Sequence, residues 1–333
     1  VSANSEHQKV STEKLSTAAG SSPEILCQTL GIQRPVLLAP MAKIAGGRLT
    51  RAVSDAGGLG VLGGGYGNLE WIRHEMGYVG DTAIGIGLIT WNMAPGSVEA
   101  VLEAHRPAAV WLSFGDPTPH ITTIHSAGAK AVCQVGTVDE AVAAADAGAD
   151  VIVAQGSEAG GHGRPGRALF GLLPAISAAI PNTPLVAAGG ISTAAGFNAA
   201  HALGAAGVAI GTAFYATREA ADVDAAKQRI VESRGDDTVH SVVYDLARGP
   251  QWPAGYTGRS IRTAITDTWA GREHELSADQ QTELVRAHAA AAADNDMSVR
   301  VVWAGGGIDA ITAVQDAASV VHRFPRADRF SQY

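Results

Sequence analysis

Eight short apolar runs, separated by stretches of helical periodicity, constrain the fold of this chain more than any other feature. The runs fall at 36–39, 60–62, 84–88, 109–112, 131–134, 151–154, 185–188 and 208–210. Most are continuously apolar instead of alternating, as expected of parallel strands buried on both faces. Amphipathic, often Ala-rich candidates lie between them at 48–56, 69–77, 97–105, 119–127, 138–147, 169–180 and 193–203. Eight strands alternating with helices at this spacing predict an α/β fold, a closed (β/α)8 TIM barrel. A doubly wound open sheet is the alternative that the same pattern allows. Recurring Ala-Gly signals, such as Ala127-Gly-Ala and Ala147-Gly-Ala, read as helix C-caps leading into the next strand.

Past residue 215 the pattern changes to more charge and mainly helical periodicity. Residues 216–300 read as a smaller, mainly helical domain inserted on the substrate side, with 26–215 and 301–333 forming the barrel. Residues 1–25 are rich in Ser, Thr and Lys, lack an apolar h-region, and read as a flexible tail and not a secretory signal. Hydrophobic residues make up 46% of the 333 and charged ones 17%, enough for one large core. A net charge of −8 with no basic block argues against nucleic-acid binding. No run of about 18 apolar residues argues for a membrane span. Cys27 and Cys133 form no C-x-x-C pair, so neither a disulfide nor a metal site is expected, and the setting expected is reducing and cytoplasmic.

In a barrel the chemistry sits at the C-terminal strand ends. The seventh run is followed by Gly189-Gly190 and the eighth by Gly211-Thr212. Glycine turns at these two strands, feeding helix N-termini, form the usual barrel phosphate site, with Ser192 or Thr193 capping the helix after the seventh. Gly58-Leu-Gly-Val-Leu-Gly63 matches G-x-G-x-x-G, but the strand lies inside the motif and a helix precedes it, against a dinucleotide fold. The sixth run leads into Gln155-Gly-Ser-Glu-Ala-Gly-Gly-His162. His162, in what reads as a loop after a glycine pair, is suited to proton transfer near neutral pH. Glu158, a single carboxylate, reads as a loop anchor or a backbone-amide acceptor. His74, His105, His120, His125 and His201 read as surface or packing residues.

These motifs carry a resemblance. Ala39-Pro-Met-Ala42, Ala56-Gly-Gly-Leu-Gly60, the 155–162 run, Ala188-Gly-Gly-Ile191 and Ile210-Gly-Thr-Ala213 are similar to the nitronate monooxygenase family, formerly 2-nitropropane dioxygenases. The resemblance spans about 30–217, with a weaker stretch at 301–305. It implies an FMN-binding barrel whose phosphate site falls on Gly189, Gly190, Gly211 and Thr212. It places flavin ring and ribityl contacts near Pro40, Met41, Ala42, Gln134 and Gln155, with loop contacts at Gly160 and Gly161. It makes His162 the catalytic base and implies oxidation of alkyl nitronates or nitroalkanes with O2 by a flavin semiquinone route. One departure stands out: Gly87 falls where many relatives carry Asn, and Asn92 is out of register.

Other functions are compatible with the same residues. One is an FMN-dependent reductase using NAD(P)H, with a quinone or enoyl thioester as acceptor. Another is a non-catalytic flavin-binding protein, and a third is a barrel that binds no flavin. Tyr244, Trp252 and Tyr256 are aromatic candidates for a pocket wall. The partners expected are small molecules; a homodimer is compatible with the sequence but is not specified by it.

Overall fold

The computed structural model describes residues 19–249 and 252–329. The eight barrel strands are β1 (Val36–Leu38), β2 (Val61–Gly63), β3 (Gly85–Ile89), β4 (Ala109–Ser113), β5 (Lys130–Val135), β6 (Val151–Gln155), β8 (Leu185–Ala188) and β9 (Gly207–Ile210); β7 (Gly161–Gly163) lies outside the barrel. All eight pair in parallel, in the order β1-β9-β8-β6-β5-β4-β3-β2. A parallel bridge from Leu37 to Leu59 joins the two ends and closes the barrel. Every predicted apolar run thus became a strand, with ends shifted by a residue or two.

The continuous apolar runs have a simple cause. Alternate residues of one strand face two cores. Leu37, Trp111, Val132, Val151, Val153 and Val186 pack inside the barrel, whereas Val36, Leu38, Val110, Leu112, Ile152 and Ala187 pack against the surrounding helices. Each buried Val or Leu side chain contributes roughly 1.5–3 kcal/mol.

The N-terminal mouth is closed by a helix, Pro23–Leu30, capped by Ser22 and ended by Gly31 in the left-handed conformation. Its Leu26 and Leu30 join the interior core. This corrects one boundary. Residues 1–18 lie outside the described residues, but 19–25 are not a tail: the Gly20 N–H donates to the Pro181 carbonyl at 2.9 Å, and Pro23 is buried.

Residues 216–300 contain the helices Asp224–Glu232, Val243–Arg248, Ala264–Trp269 and Ala278–Asp294. They also contain two strands absent from the sequence expectation, β10 (Thr238–Ser241) and β11 (Thr257–Ile261). These form a three-stranded antiparallel sheet with β7, in the order β10-β11-β7. His162 is therefore on a strand and not in a loop. Val243, Tyr244, Ala247, Ile265 and Leu284 form a small core of their own. After this segment the helix Ala317–Val321 packs beside the helix Gly47–Asp55 and completes the barrel's outer ring.

Candidate active site

The C-terminal strand ends open into a cavity of about 260 Å³. Pro40, Met41, Ala42, Gln134, Gln155, Gly160, Gly161, His162, Gly189, Gly190, Gly211 and Thr212 all line it. Residues from Pro40 to Thr212 converge there because the parallel strands all point one way.

One corner is made of backbone. Gly189 and Gly190 have φ of +121° and +68°, which side-chain-bearing residues rarely adopt. They turn tightly after β8, and Thr193 caps the helix Ala194–Ala202 that follows, accepting from the Gly196 N–H at 3.1 Å. Gly211 precedes the short helix Thr212–Tyr215. A third glycine stretch, Gly305–Gly307, packs onto both. The Gly305 N–H donates to Thr212 Oγ1 at 3.0 Å, and a Cβ on Gly307 would lie 2.1 Å from the Gly190 carbonyl oxygen. Gly305–Gly307 read only as the return to the barrel; the signal that could have found it is another apolar stretch followed by a glycine run.

The adjoining wall, on β5 and β6, is held by side-chain amides. Trp111 Nε1 and Ser113 Oγ donate to Gln134 Oε1 at 3.3 and 3.4 Å. Gln134 Nε2 donates to Gln155 Oε1 at 3.0 Å, and Gln155 Nε2 donates to the His162 carbonyl at 2.9 Å. This chain ties β7 to the barrel. Glu158 accepts the Leu169 N–H at 3.0 Å, at the start of the helix Leu169–Ala179, where a carboxylate is favoured.

His162 is fixed from three directions. Its backbone pairs with Gly258 of β11. Its Nε2 lies 2.7 Å from Asp245 Oδ1, with the two side chains 11% and 7% exposed. Trp252 stacks on the ring at 3.7 Å and 6°, and Trp303 leans against it at 5.1 Å. Gly258 leaves room for Trp303, because a Cβ there would meet the indole at 2.4 Å. Asp245 was not among the expected site residues. A lone carboxylate on a helix 83 positions from its partner carries no sequence signal. Of the three aromatics singled out, only Trp252 lines the cavity; Tyr244 is buried, its hydroxyl against Thr263 and the Val299 carbonyl, and Tyr256 covers Arg164 in a neighbouring cavity.

Two tyrosines on the cavity wall are held as neutral phenols. Burial, then the nearby Asp245 carboxylate, raises Tyr66. Burial, then Asp222, raises Tyr215, whose hydroxyl donates to Asp222 at 2.5 Å. Gly87 also lines the cavity. A Cβ there would lie 2.1 Å from Pro40 Cβ, so the proline ring occupies the space an asparagine would need. Among the described residues, no three His, Cys, Asp or Glu side chains are placed to hold a metal, and no helix is long and apolar enough to cross a membrane.

A family model described as nitronate monooxygenase matches residues 23–86 and 88–324. The chain belongs to the nitronate monooxygenase family. It is accordingly a flavin-dependent oxidoreductase. The two matched stretches leave out Gly87, the position at which Pro40 fills the space of a side chain. The chain is 34% identical to nitronate monooxygenase npaC of Metarhizium robertsii over 86% of this chain and 88% of that one. Its fold is similar to FabK from Thermotoga maritima, with a TM-score of 0.78 and 28% identity over 90% and 94% of the two chains. It is also similar to a nitroalkane oxidase from Streptomyces ansochromogenes, with a TM-score of 0.74 and 25% identity over 89% and 96%.

Proposed function

We propose that the protein oxidises alkyl nitronates with FMN and O2, and that His162 generates the nitronate when a neutral nitroalkane is bound. Family membership and the nitroalkane oxidase neighbour support nitronate oxidation in general. The observation that carries the finer reading is the placement of His162 on the lining of a cavity that also has a corner built of glycine backbone.

The residues present fit FMN. A Cβ on Gly307 would collide with the Gly190 carbonyl, and Gly189 and Gly190 hold positive φ, so this corner offers backbone to a phosphate. Gly189, Gly190, Gly211 and Thr212 would hold that phosphate. Pro40, Met41, Ala42, Gln134, Gln155, Gly160 and Gly161 would flank the ring and ribityl chain. When bound, the flavin supplies one-electron oxidation of the nitronate, with O2 as the terminal oxidant.

The chain's own part is proton transfer and enclosure. A nitroalkane α-carbon beside His162 loses its proton to the imidazole, leaving a nitronate, which is the oxidisable form. Residues 216–300 are the substrate-side domain, supplying Asp245, Arg248 and Trp252 to one wall of the cavity. Trp252 and Trp303 shield the imidazole from water.

The test combines spectra and substrates. Purified protein loaded with FMN is expected to show flavin absorbance, to consume O2 with propyl-2-nitronate, and to resist anaerobic bleaching by NADH and NADPH. Rapid bleaching by either nucleotide without nitronate-dependent O2 uptake would replace this reading with a reductase. His162→Ala is expected to keep FMN and to lose nitroalkane turnover far more than nitronate turnover. Equal losses on both would remove the base role.

A further inference from the structure

Asp245 sits where it can decide which nitrogen of His162 is the base. A carboxylate only accepts hydrogen bonds, so the 2.7 Å contact requires Nε2 to carry the proton. In the neutral ring the lone pair is then on Nδ1. Both side chains are nearly buried, which removes competition from bulk water. Trp252, stacked at 3.7 Å, opposes a flip of the ring about its Cβ–Cγ bond, which would carry Nε2 away from Asp245. The backbone is equally fixed, because the His162 carbonyl accepts from Gln155 and its strand pairs with β11.

We infer that Asp245 is the positioning residue for His162: it holds the Nε2–H tautomer, so that Nδ1 takes the substrate α-proton, and Trp252 locks that orientation. This rests on the reading of His162 as base and adds the atom, the tautomer and the residue that selects it. The α-C–H bond breaks, its electron pair stays on the substrate as the nitronate, and the proton passes to Nδ1. The resulting imidazolium donates from Nε2 to Asp245, and its Nδ1 proton returns to solvent or product in a later step.

Two measurements test it. The first needs no cofactor or turnover: ¹⁵N-histidine NMR of the wild-type protein above the titration range of its imidazoles. The His162 resonance, assigned with His162→Gln, is expected to show Nε2 protonated and Nδ1 bare. Nδ1 protonated would overturn the inference, whatever the reaction proves to be. The second is Asp245→Asn loaded with FMN, whose amide can also donate to the ring and release the tautomer. Its kcat on a neutral nitroalkane is expected to fall on the order of 100-fold, with a much smaller loss on the preformed nitronate. Equal losses on the two substrates would overturn the positioning role, because they would report a general disturbance of the site. Protein that oxidises neither substrate in wild-type form would remove the nitronate reading and leave the NMR result to decide the tautomer.

Discussion

Replacing Gly307 by alanine tests the glycine corner with one methyl group. The added Cβ would stand 2.1 Å from the Gly190 carbonyl oxygen, 2.6 Å from its carbon and 3.0 Å from its Cα. Ordinary contacts of this type do not close below 3.0 Å, so the two turns must part by at least about 0.9 Å. The Gly190 turn cannot yield by a small rotation, since Gly189 and Gly190 already occupy positive φ and Glu158 flanks them. Overpacking of this size costs roughly 1–3 kcal/mol. If the displacement falls on the phosphate corner, FMN affinity drops about 5- to 150-fold at 1.4 kcal/mol per decade. The assay is quenching of flavin fluorescence on titration into apoprotein, with FMN and with riboflavin, which lacks the phosphate. Gly307→Ala is expected to weaken FMN much more than riboflavin. Gly166→Ala, whose Cβ meets nothing within 4 Å, serves as the neutral control. Unchanged FMN affinity, or equal weakening of both ligands, would refute the placement of the phosphate.

Three further outcomes are expected. Gly87→Asn should lose about 1–3 kcal/mol of stability, because its Cβ overlaps the Pro40 ring; a denaturant midpoint equal to wild type would show that β1 and β3 part freely. Leu26→Ala should cost about 2–5 kcal/mol, since this fully buried side chain plugs the barrel floor; a loss below about 0.5 kcal/mol would show that the helix Pro23–Leu30 does not close the barrel floor. His240 is lowered below its ordinary value of 6.5, first by burial, so the folded protein binds fewer protons there than the unfolded chain. Its contribution is therefore present above about pH 6.5 and lost as the pH falls below it. Melting temperature should decline on acidification through that region, and less steeply in His240→Gln; identical pH profiles would discard this linkage.

The barrel was legible because its cause is local. Strands buried on both faces must be apolar at every position, and the runs at 36–39, 109–112, 151–154 and 185–188 announce that without any knowledge of their neighbours. The glycine turns at 189–190 and 211 were equally open to reading, since strand order in a closed barrel places the seventh and eighth ends together. The strand containing His162 was hidden for the opposite reason. Gly161-His-Gly163 has no apolar pattern, and it is a strand only because β11, almost a hundred residues later, supplies its hydrogen-bonding edge. The same holds for β10, whose Thr238-Val-His-Ser241 pairs across to β11 and not to the barrel.

By itself, then, the sequence determined the architecture, the glycine corner and the candidate base, each carried by a periodicity or a motif within a few residues. Tertiary structure alone decided what surrounds that base. Asp245, Trp252 and Trp303 come from separate points of the chain and meet at His162 because the 216–300 segment, and the stretch that follows it, fold back over the barrel mouth. No spacing rule relates them. A contact of 2.7 Å between residues 83 apart depends on the path of every element between them, and that path is set by packing, not by local pattern.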